Sequence, residues 1–188
     1  MHFHSAPLAG VYEIELARHE DERGFFARTW CTREFEAHGL PTVIVQSSLS
    51  HNTRKGTIRG MHFQWAPSRE GKFVRCERGA VHDVLIDLRP ASPTFLAHHA
   101  VTLESERANA VYIPPGLAHG FQTLVDDTRV LYMMTDFHAP ELADGLCFDD
   151  PAFGIEWPLP VSVVSDRDRS WPRFDRERHV RRAAAVAQ

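Results

Sequence analysis

Short apolar runs separated by turn residues make up most of the chain. The runs are rich in Val, Ile, Phe and Thr, and they recur at a spacing of roughly 8 to 12 residues. Such runs, several of them alternating between apolar and polar positions, predict β-strands. The predicted strands span residues 11–16, 25–30, 43–46, 57–64, 72–78, 80–88, 97–103, 110–113, 120–125 and 130–135.

Only one segment before the C-terminal tail predicts a helix clearly. Residues 32–38 read TREFEAH, with Thr32 placed to cap the first turn and Gly39 placed to end the helix. The last segment, residues 173–188, is charged and then rich in Ala. We predict that it forms a surface helix or a loosely held arm.

Many short strands with few helices are typical of a sandwich or barrel. We predict an all-β fold, a double-stranded β-helix or jelly-roll barrel of the cupin type, with a few short helices. Residues 1–172 would form this single domain, and residues 173–188 its C-terminal arm or surface helix. Barrels of this kind are open at one end, where inward-facing side chains can form a ligand pocket.

Composition limits the partners. The formal net charge is −4, which gives no general attraction to nucleic acid or to an anionic membrane. No apolar run approaches the ~20 residues that span a bilayer. The three cysteines, Cys31, Cys76 and Cys147, are far apart and form no CxxC pair, which indicates reduced thiols in a cytoplasmic protein.

Candidate chemistry is concentrated between residues 46 and 72. The predicted strand 57–64 carries Arg59, His62 and Gln64, and Lys72 begins the next strand. Positions 60, 62 and 64 share one face, and polar groups on an inward face are costly unless they are paired or functional. We therefore expect a polar pocket here.

Five other polar residues could join that pocket. Tyr132 interrupts an apolar strand, His119 follows Pro-Pro-Gly, Asp168 lies in a polar turn, and Asp83 and Asp87 share one strand face. Each also has an ordinary structural explanation: a wetted core tyrosine, a satisfied histidine or a turn carboxylate.

A metal site, as in a metal-dependent cupin isomerase or dioxygenase, is the competing interpretation. Pro115 to His119 matches the second half of the cupin metal motif, and a ligand set of His62, Gln64, Glu70 and His119 could imitate the whole. The first half of that motif requires His-x-His, however, and this chain has His62-Phe63-Gln64. Because an amide is a poor ligand for transition metals, we expect no metal and no other cofactor.

The chain resembles the dTDP-4-dehydrorhamnose 3,5-epimerase family over residues 5–172. The matching stretches are DERGFF (21–26), VQSS (45–48), RGMHFQ (59–64), GKFVRCERGAVHDVLIDLRPASPTF (71–95), YIPPGLAHGF (112–121), LY (131–132), DPAFGIEWP (150–158) and SDRD (165–168). The resemblance implies a metal-free cupin-fold homodimer that acts on a nucleoside-diphosphate 4-keto-6-deoxyhexose. It also implies a place in dTDP-rhamnose biosynthesis.

The same resemblance implies the catalytic roles. His62 would be the base and Asp168 would orient it, while Tyr132 would return a proton on the opposite face of the sugar. Lys72 would stabilise the enolate oxygen. This agrees with the chemistry, since the 4-keto group acidifies the hydrogens on C3 and C5, and inversion needs a base, an acid and a cation.

The remaining family positions bind substrate. By resemblance Arg23, Gln46 and Arg59 hold the nucleotide and diphosphate, and His119 contacts the substrate near the sugar or the diphosphate. Arginine suits phosphate because its planar fork binds two oxygens at once.

Several nucleotide-contacting positions depart from the family. Arg28 stands where the family usually has Glu, Ser48 where it has Asn, and Arg167 where it has Lys. Phe137 and His138 replace two aromatics, so His138 would stack on the base. Two readings stay open: drift that keeps dTDP, or a CDP, GDP or UDP sugar. Inversion at C3, at C5 or at both also stays open, as does a binding protein without catalysis.

Overall fold

Two antiparallel sheets face each other in the computed structural model, which describes residues 1–186. The first sheet has six strands, in the order β1 (His2–Ser5), β2 (Tyr12–Glu15), β10 (Ala110–Ile113), β7 (Lys72–Arg78), β12 (Thr128–Met134) and β5 (Gln46–Asn52). The second has five, in the order β13 (Ala143–Gly145), β6 (Ile58–Gln64), β11 (Leu117–Thr123), β8 (Ala80–Asp87) and β9 (His98–Glu104). A separate hairpin and three helices complete the chain: β3 (Arg18–Asp21), β4 (Gly24–Ala27), α1 (Thr32–Ala37), α2 (Asp166–Arg169) and α3 (Arg176–Val186).

The main core lies between the two sheets. Val74 and Val130 point into it from the first sheet, and Leu85, Leu103 and Phe121 from the second. All five are buried, because alternate residues of each strand face the partner sheet. The predicted all-β jelly roll is therefore confirmed.

Helix α1 covers the outer face of the six-stranded sheet. Its Phe35 packs on Phe73 of β7, with ring centroids 5.7 Å apart. The helix ends at Ala37, and Gly39 follows the C-cap with a φ of +67°, in keeping with its predicted role in ending the helix. The prediction that Thr32 caps it is wrong: Thr32 is already helical, and the cap position belongs to Cys31, which has extended backbone and no capping hydrogen bond.

Three strands differ most from prediction in their boundaries. β5 runs over Gln46–Asn52 rather than 43–46, because this polar edge strand is held by pairing with β12 along its whole length. β11 begins earlier than predicted, at Leu117, where it pairs with Asp87. β4 ends at Ala27 instead of Trp30, whose ring packs on Phe35 with centroids 4.0 Å apart.

Helix α3 lies against the five-stranded sheet. His179 is buried, and its Nε2–H donates to the carbonyl oxygen of Leu88 at 2.7 Å. Arg182 binds the Asp144 carboxylate of β13 at 2.8 Å and lies over the Trp65 ring. Residues 187–188 of the predicted arm lie outside the described residues. Within residues 1–186, no helix has the length and apolar character needed to cross a bilayer.

Candidate active site

One cavity of about 370 Å³ collects residues from both sheets and from α2. β6 and β11 supply one wall, and β5, β7 and β12 supply the other. The lining residues are Ser50, Arg59, His62, Lys72, His119, Tyr132, Ser165, Arg167 and Asp168. His62 and Tyr132 thus enter the same cavity from opposite sheets.

His62 and Asp168 form a hydrogen-bonded pair at the mouth of the cavity. His62 Nε2 lies 2.7 Å from Asp168 Oδ1, and the Gly60 N–H donates to Oδ2 at 3.2 Å. The imidazole is 44% exposed, whereas the carboxylate is only 6% exposed. A buried carboxylate that holds one ring nitrogen leaves the other, Nδ1, as the nitrogen through which His62 can accept a proton.

The pKa of Asp168 reflects two opposed effects. Burial raises the pKa of this carboxyl, but the hydrogen bond and charge of His62 and the Gly60 N–H outweigh burial and hold it below its ordinary value. The local fold assists: the Ser165 hydroxyl accepts the Asp168 N–H at 3.1 Å and so caps α2. Asp168 is therefore a fixed anion behind the imidazole.

A second histidine–aspartate pair lies deeper in the cavity. His119 Nε2 is 2.8 Å from Asp83 Oδ2, and both side chains are buried. The edge of the His119 ring meets the Tyr132 ring at a centroid distance of 5.9 Å. Burial and the charge of Asp83 raise the pKa of Tyr132 far above its ordinary value, so its phenol stays protonated and is a proton donor.

Three cations surround the cavity. Lys72, from the start of β7, is paired with Glu70, and both side chains are largely buried. Arg59 donates from Nε to the Asn52 side chain at 2.7 Å. Arg167, from α2, places its guanidinium over the Trp171 ring at 5.3 Å. Together they favour a negatively charged ligand.

An adjoining cavity of about 190 Å³ shares His62, Lys72 and Arg167 with the first and adds His138. The loop that carries His138 is held by two amide side chains. Gln46 accepts the His138 N–H at 2.8 Å, and Gln64 accepts the Ala139 N–H at 2.7 Å. Gln46 thus supports the loop from β5 rather than lining either cavity.

Three sequence-predicted residues lie elsewhere in this chain. Arg23 lines a different cavity, with Asp21, Phe25 and Phe26 of the β3–β4 hairpin. Arg28 pairs with Glu34 at 3.1 Å. Ser48 is exposed on β5 and lines neither cavity.

Sequence reasoning missed two residues at the site and the ion-pair partners of two others. Ser50 and Ser165 line the cavity, Glu70 holds Lys72, and Asp83 holds His119. A signal for Ser165 was available, because Ser three residues before an acidic residue is typical of a helix start. The donors of the competing metal interpretation are each engaged elsewhere, and residues 1–186 contain no cluster of three or more His, Cys, Asp or Glu able to hold a metal ion.

Comparison with known proteins adds relatives over nearly the whole chain. A family model described as dTDP-4-dehydrorhamnose 3,5-epimerase matches residues 5–176. A curated dTDP-4-dehydrorhamnose 3,5-epimerase from Sinorhizobium fredii is 39% identical over 173 residues, covering 92% of this chain and 89% of the relative.

Two solved structures are also similar. The dTDP-4-dehydrorhamnose 3,5-epimerase from Bacillus anthracis, with TDP and PPi bound, superimposes with a TM-score of 0.89 at 32% identity, covering 92% of this chain and 99% of that one. A 3'-monoepimerase from Streptomyces bikiniensis, in complex with dTDP-quinovose, gives 0.86 at 31% identity, covering 97% and 91%.

Proposed function

The chain belongs to the dTDP-4-dehydrorhamnose 3,5-epimerase family, and we propose that it inverts C3 and C5 of dTDP-4-dehydro-6-deoxyglucose to give dTDP-4-dehydrorhamnose. One observation carries the proposal: His62 and Tyr132 enter a single cavity from facing sheets. A hexose between them would present opposite faces to the two side chains, as inversion by proton removal and return requires.

The steps follow from the side chains. His62, oriented by Asp168, removes the proton next to the ketone through Nδ1. The electron pair moves into the carbonyl, and the ammonium of Lys72 stabilises the enolate oxygen. The phenol of Tyr132 then protonates the same carbon from the other face. The carbonyl of the substrate provides the activation, so the steps draw on no group beyond these four residues.

Substrate binding uses the cations and the adjoining cavity. Arg59 and Arg167 would bind the diphosphate, His119 would contact the sugar, and His138 would stack on the base. Gln46 would keep the His138 loop in place. All residues that line the main cavity fall within residues 1–172, which we take as the catalytic domain, with 173–188 as an appended arm.

We propose that the protein is a cytoplasmic homodimer. The support is on the surface: Phe26 is 75% exposed and Leu49 is 58% exposed, and a second copy would cover such apolar side chains. Because Arg23 lines a different cavity from His62, a second copy is the simplest means to bring Arg23, and likewise Arg28 and Ser48, to the nucleotide. The described cysteines are all free thiols, in keeping with the cytoplasm.

Turnover in heavy water tests the proposal. With dTDP-4-dehydro-6-deoxyglucose we expect deuterium at both C3 and C5 and formation of the rhamno configuration. Deuterium at one carbon alone would favour a one-centre epimerase, the activity named for the Streptomyces bikiniensis relative. CDP-, GDP- and UDP-linked analogues serve as matched controls. Faster turnover of any of them would overturn the dTDP assignment, and no exchange with any substrate would overturn the epimerase itself.

A further inference from the structure

Trp171 lies directly behind the His62–Asp168 pair, three residues after Asp168. Its indole rests on the backbone of Gly145 in β13, so closely that a Cβ at Gly145 would lie 2.3 Å from Cε2 and 2.5 Å from Nε1. Gly145 is in turn paired with His62 across the β13–β6 ladder. The indole is thus wedged between the strand beside His62 and the helix that carries Asp168.

The indole also faces the pair itself. The rings of His62 and Trp171 meet edge to face with centroids 6.4 Å apart. Trp171 Nε1 is buried, and within residues 1–186 it has no acceptor at good hydrogen-bonding geometry. It nevertheless lies close enough to the Asp168 carboxylate to lower the pKa of that carboxyl. A buried indole N–H normally finds an acceptor, and this carboxylate is the one beside it.

We infer that Trp171 is a positioning residue for the catalytic pair, with its N–H directed to the Asp168 carboxylate and its ring preventing the pair from tilting toward β13. This inference rests on the proposed function. The indole does not line the main cavity, so Trp171 acts through Asp168 and His62 and makes no contact with the sugar. A carboxylate fixed on three sides holds the imidazole at one angle, which keeps Nδ1 aimed at the substrate carbon.

Loss of the Trp171 N–H should change the interaction between Asp168 and His62 in a defined direction. An N–H that donates to Asp168 withdraws negative charge from the carboxylate, so its removal strengthens the hold of Asp168 on the imidazolium form of His62. The other groups that face the pair would be unchanged. In the main cavity they are Arg59 on β6, Lys72 on β7, Tyr132 on β12, the His119–Asp83 pair and Arg167 on α2, and in the adjoining cavity Glu70, His138 and Asp144.

The test compares Trp171→Phe with Trp157→Phe. Both changes remove an indole N–H, but Trp157 donates to the carbonyl oxygen of Phe148 at 2.9 Å and does not line the cavity. The first measurement is the NMR titration of the His62 ring, which needs no turnover. We expect Trp171→Phe to move its midpoint to higher pH, and Trp157→Phe to leave it unmoved.

The second measurement is kinetic, per mole of folded protein. We expect Trp171→Phe to lower kcat about tenfold with KM within about twofold, and to move the acidic limb of the rate profile to higher pH. An unmoved His62 midpoint in Trp171→Phe, or an equal shift in Trp157→Phe, would overturn the inference. Inactivity of the unaltered enzyme would instead overturn the proposed function, because the titration stands apart from turnover. If Trp171→Phe fails to fold, Trp171→Leu, which likewise has no donor, carries the same expectations.

Discussion

The two histidine–aspartate pairs of the cavity differ chiefly in exposure. The His62 side chain is 44% exposed and that of His119 is 5% exposed, although each holds a carboxylate at nearly the same distance. A base must reach both substrate and solvent to exchange its proton, so His62 fits that task and His119 does not. The same residue types thus take different roles because the strands place them at different depths.

Asp87 lies outside the active site and shows how strongly hydrogen bonds can stabilise a single carboxylate. Its side chain is fully buried, and it accepts from the Arg89 guanidinium, the Ser92 hydroxyl and the Thr94 hydroxyl at 2.5 to 2.9 Å. Burial raises the pKa of this carboxyl, but these donors outweigh burial and lower the pKa from 3.8 to about 2. Asp87 therefore stabilises the fold as an anion.

The pH dependence follows from that lowered pKa. The stabilisation by Asp87 is complete above the ordinary pKa and is lost as the pH falls from about 4 to about 2, because the unfolded chain takes up the proton first. We expect Asp87→Asn to lower the free energy of unfolding by about 2 kcal/mol at neutral pH. It should also reduce the further loss of stability as the pH falls from about 4 to about 2. Urea unfolding at several pH values measures both effects. If the unfolding free energy of Asp87→Asn plotted against pH ran parallel to that of the unaltered protein, this account would be contradicted.

At the residue scale, the sequence was informative where chemistry was local. His62, Lys72, Tyr132 and Asp168 could be predicted from the motifs that carry the family resemblance, and the structure places all four around one cavity. The partners could not, because Asp83 and His119 are 36 residues apart and meet only through the β8–β11 ladder. A pairing of this kind depends on strand register, which no local pattern specifies.

At the scale of elements, β6 and β11 approach each other unusually closely beside the base. A Cβ at Gly120 would lie 2.5 Å from Met61 Sδ, 2.8 Å from the Arg59 carbonyl oxygen and 3.1 Å from Gly60 Cα. The ladder also shifts register here, between His119 and Phe121. Two glycines facing each other across the ladder thus allow His62 and His119 to stand on adjacent strands.

Gly120→Ala tests this close approach. We expect a loss of about 2 to 3 kcal/mol in the free energy of unfolding, because backbone atoms of β6 would have to move. Gly39→Ala is the control: its Cβ meets open space, and only the positive φ of +67° opposes it, at about 1 kcal/mol. Equal losses in the two variants, measured by denaturant unfolding, would show that crowding contributes nothing.

Element boundaries were harder to predict than element types. The polar strand β5 was predicted too early in the chain, at residues 43–46, because its sequence, QSSLSHN, lacks the apolar alternation by which strands are recognised. Its position comes from pairing with β12, and its Ser50 faces the cavity. Strands that border a binding site carry polar residues for the ligand, so the pattern is weakest where function is concentrated.

At the scale of the whole molecule, α3 is connected to the active site through β13. Arg182 of α3 binds Asp144, and the next residue, Gly145, supports Trp171 behind the catalytic pair. His179 anchors the helix among the rings of Trp65 and Phe174, at centroid distances of 4.8 and 5.3 Å. The stability of this helix therefore bears on the cavity wall.

The anchor at His179 should make α3 sensitive to acid. Burial lowers the pKa of His179, partly offset by the Leu88 carbonyl and by Asp144, so the folded state favours the neutral ring. The stability it contributes is complete above the ordinary pKa of 6.5 and is lost as the pH falls. We expect faster amide hydrogen exchange in α3 at about pH 5.5 than at about pH 7.5, corrected for intrinsic rates. His179→Phe should remove that difference, and its persistence in the variant would assign it to another group.

The most direct test of the account is the fate of the substrate with Tyr132→Phe in heavy water. His62 would still remove the proton and could return a deuteron only to the face it came from. We therefore expect deuterium to enter dTDP-4-dehydro-6-deoxyglucose without inversion, with epimerisation reduced at least ~100-fold, while His62→Ala shows neither exchange nor inversion. Inversion by Tyr132→Phe at the unaltered rate, or exchange by His62→Ala, would contradict the placement of base and acid on opposite faces of the sugar.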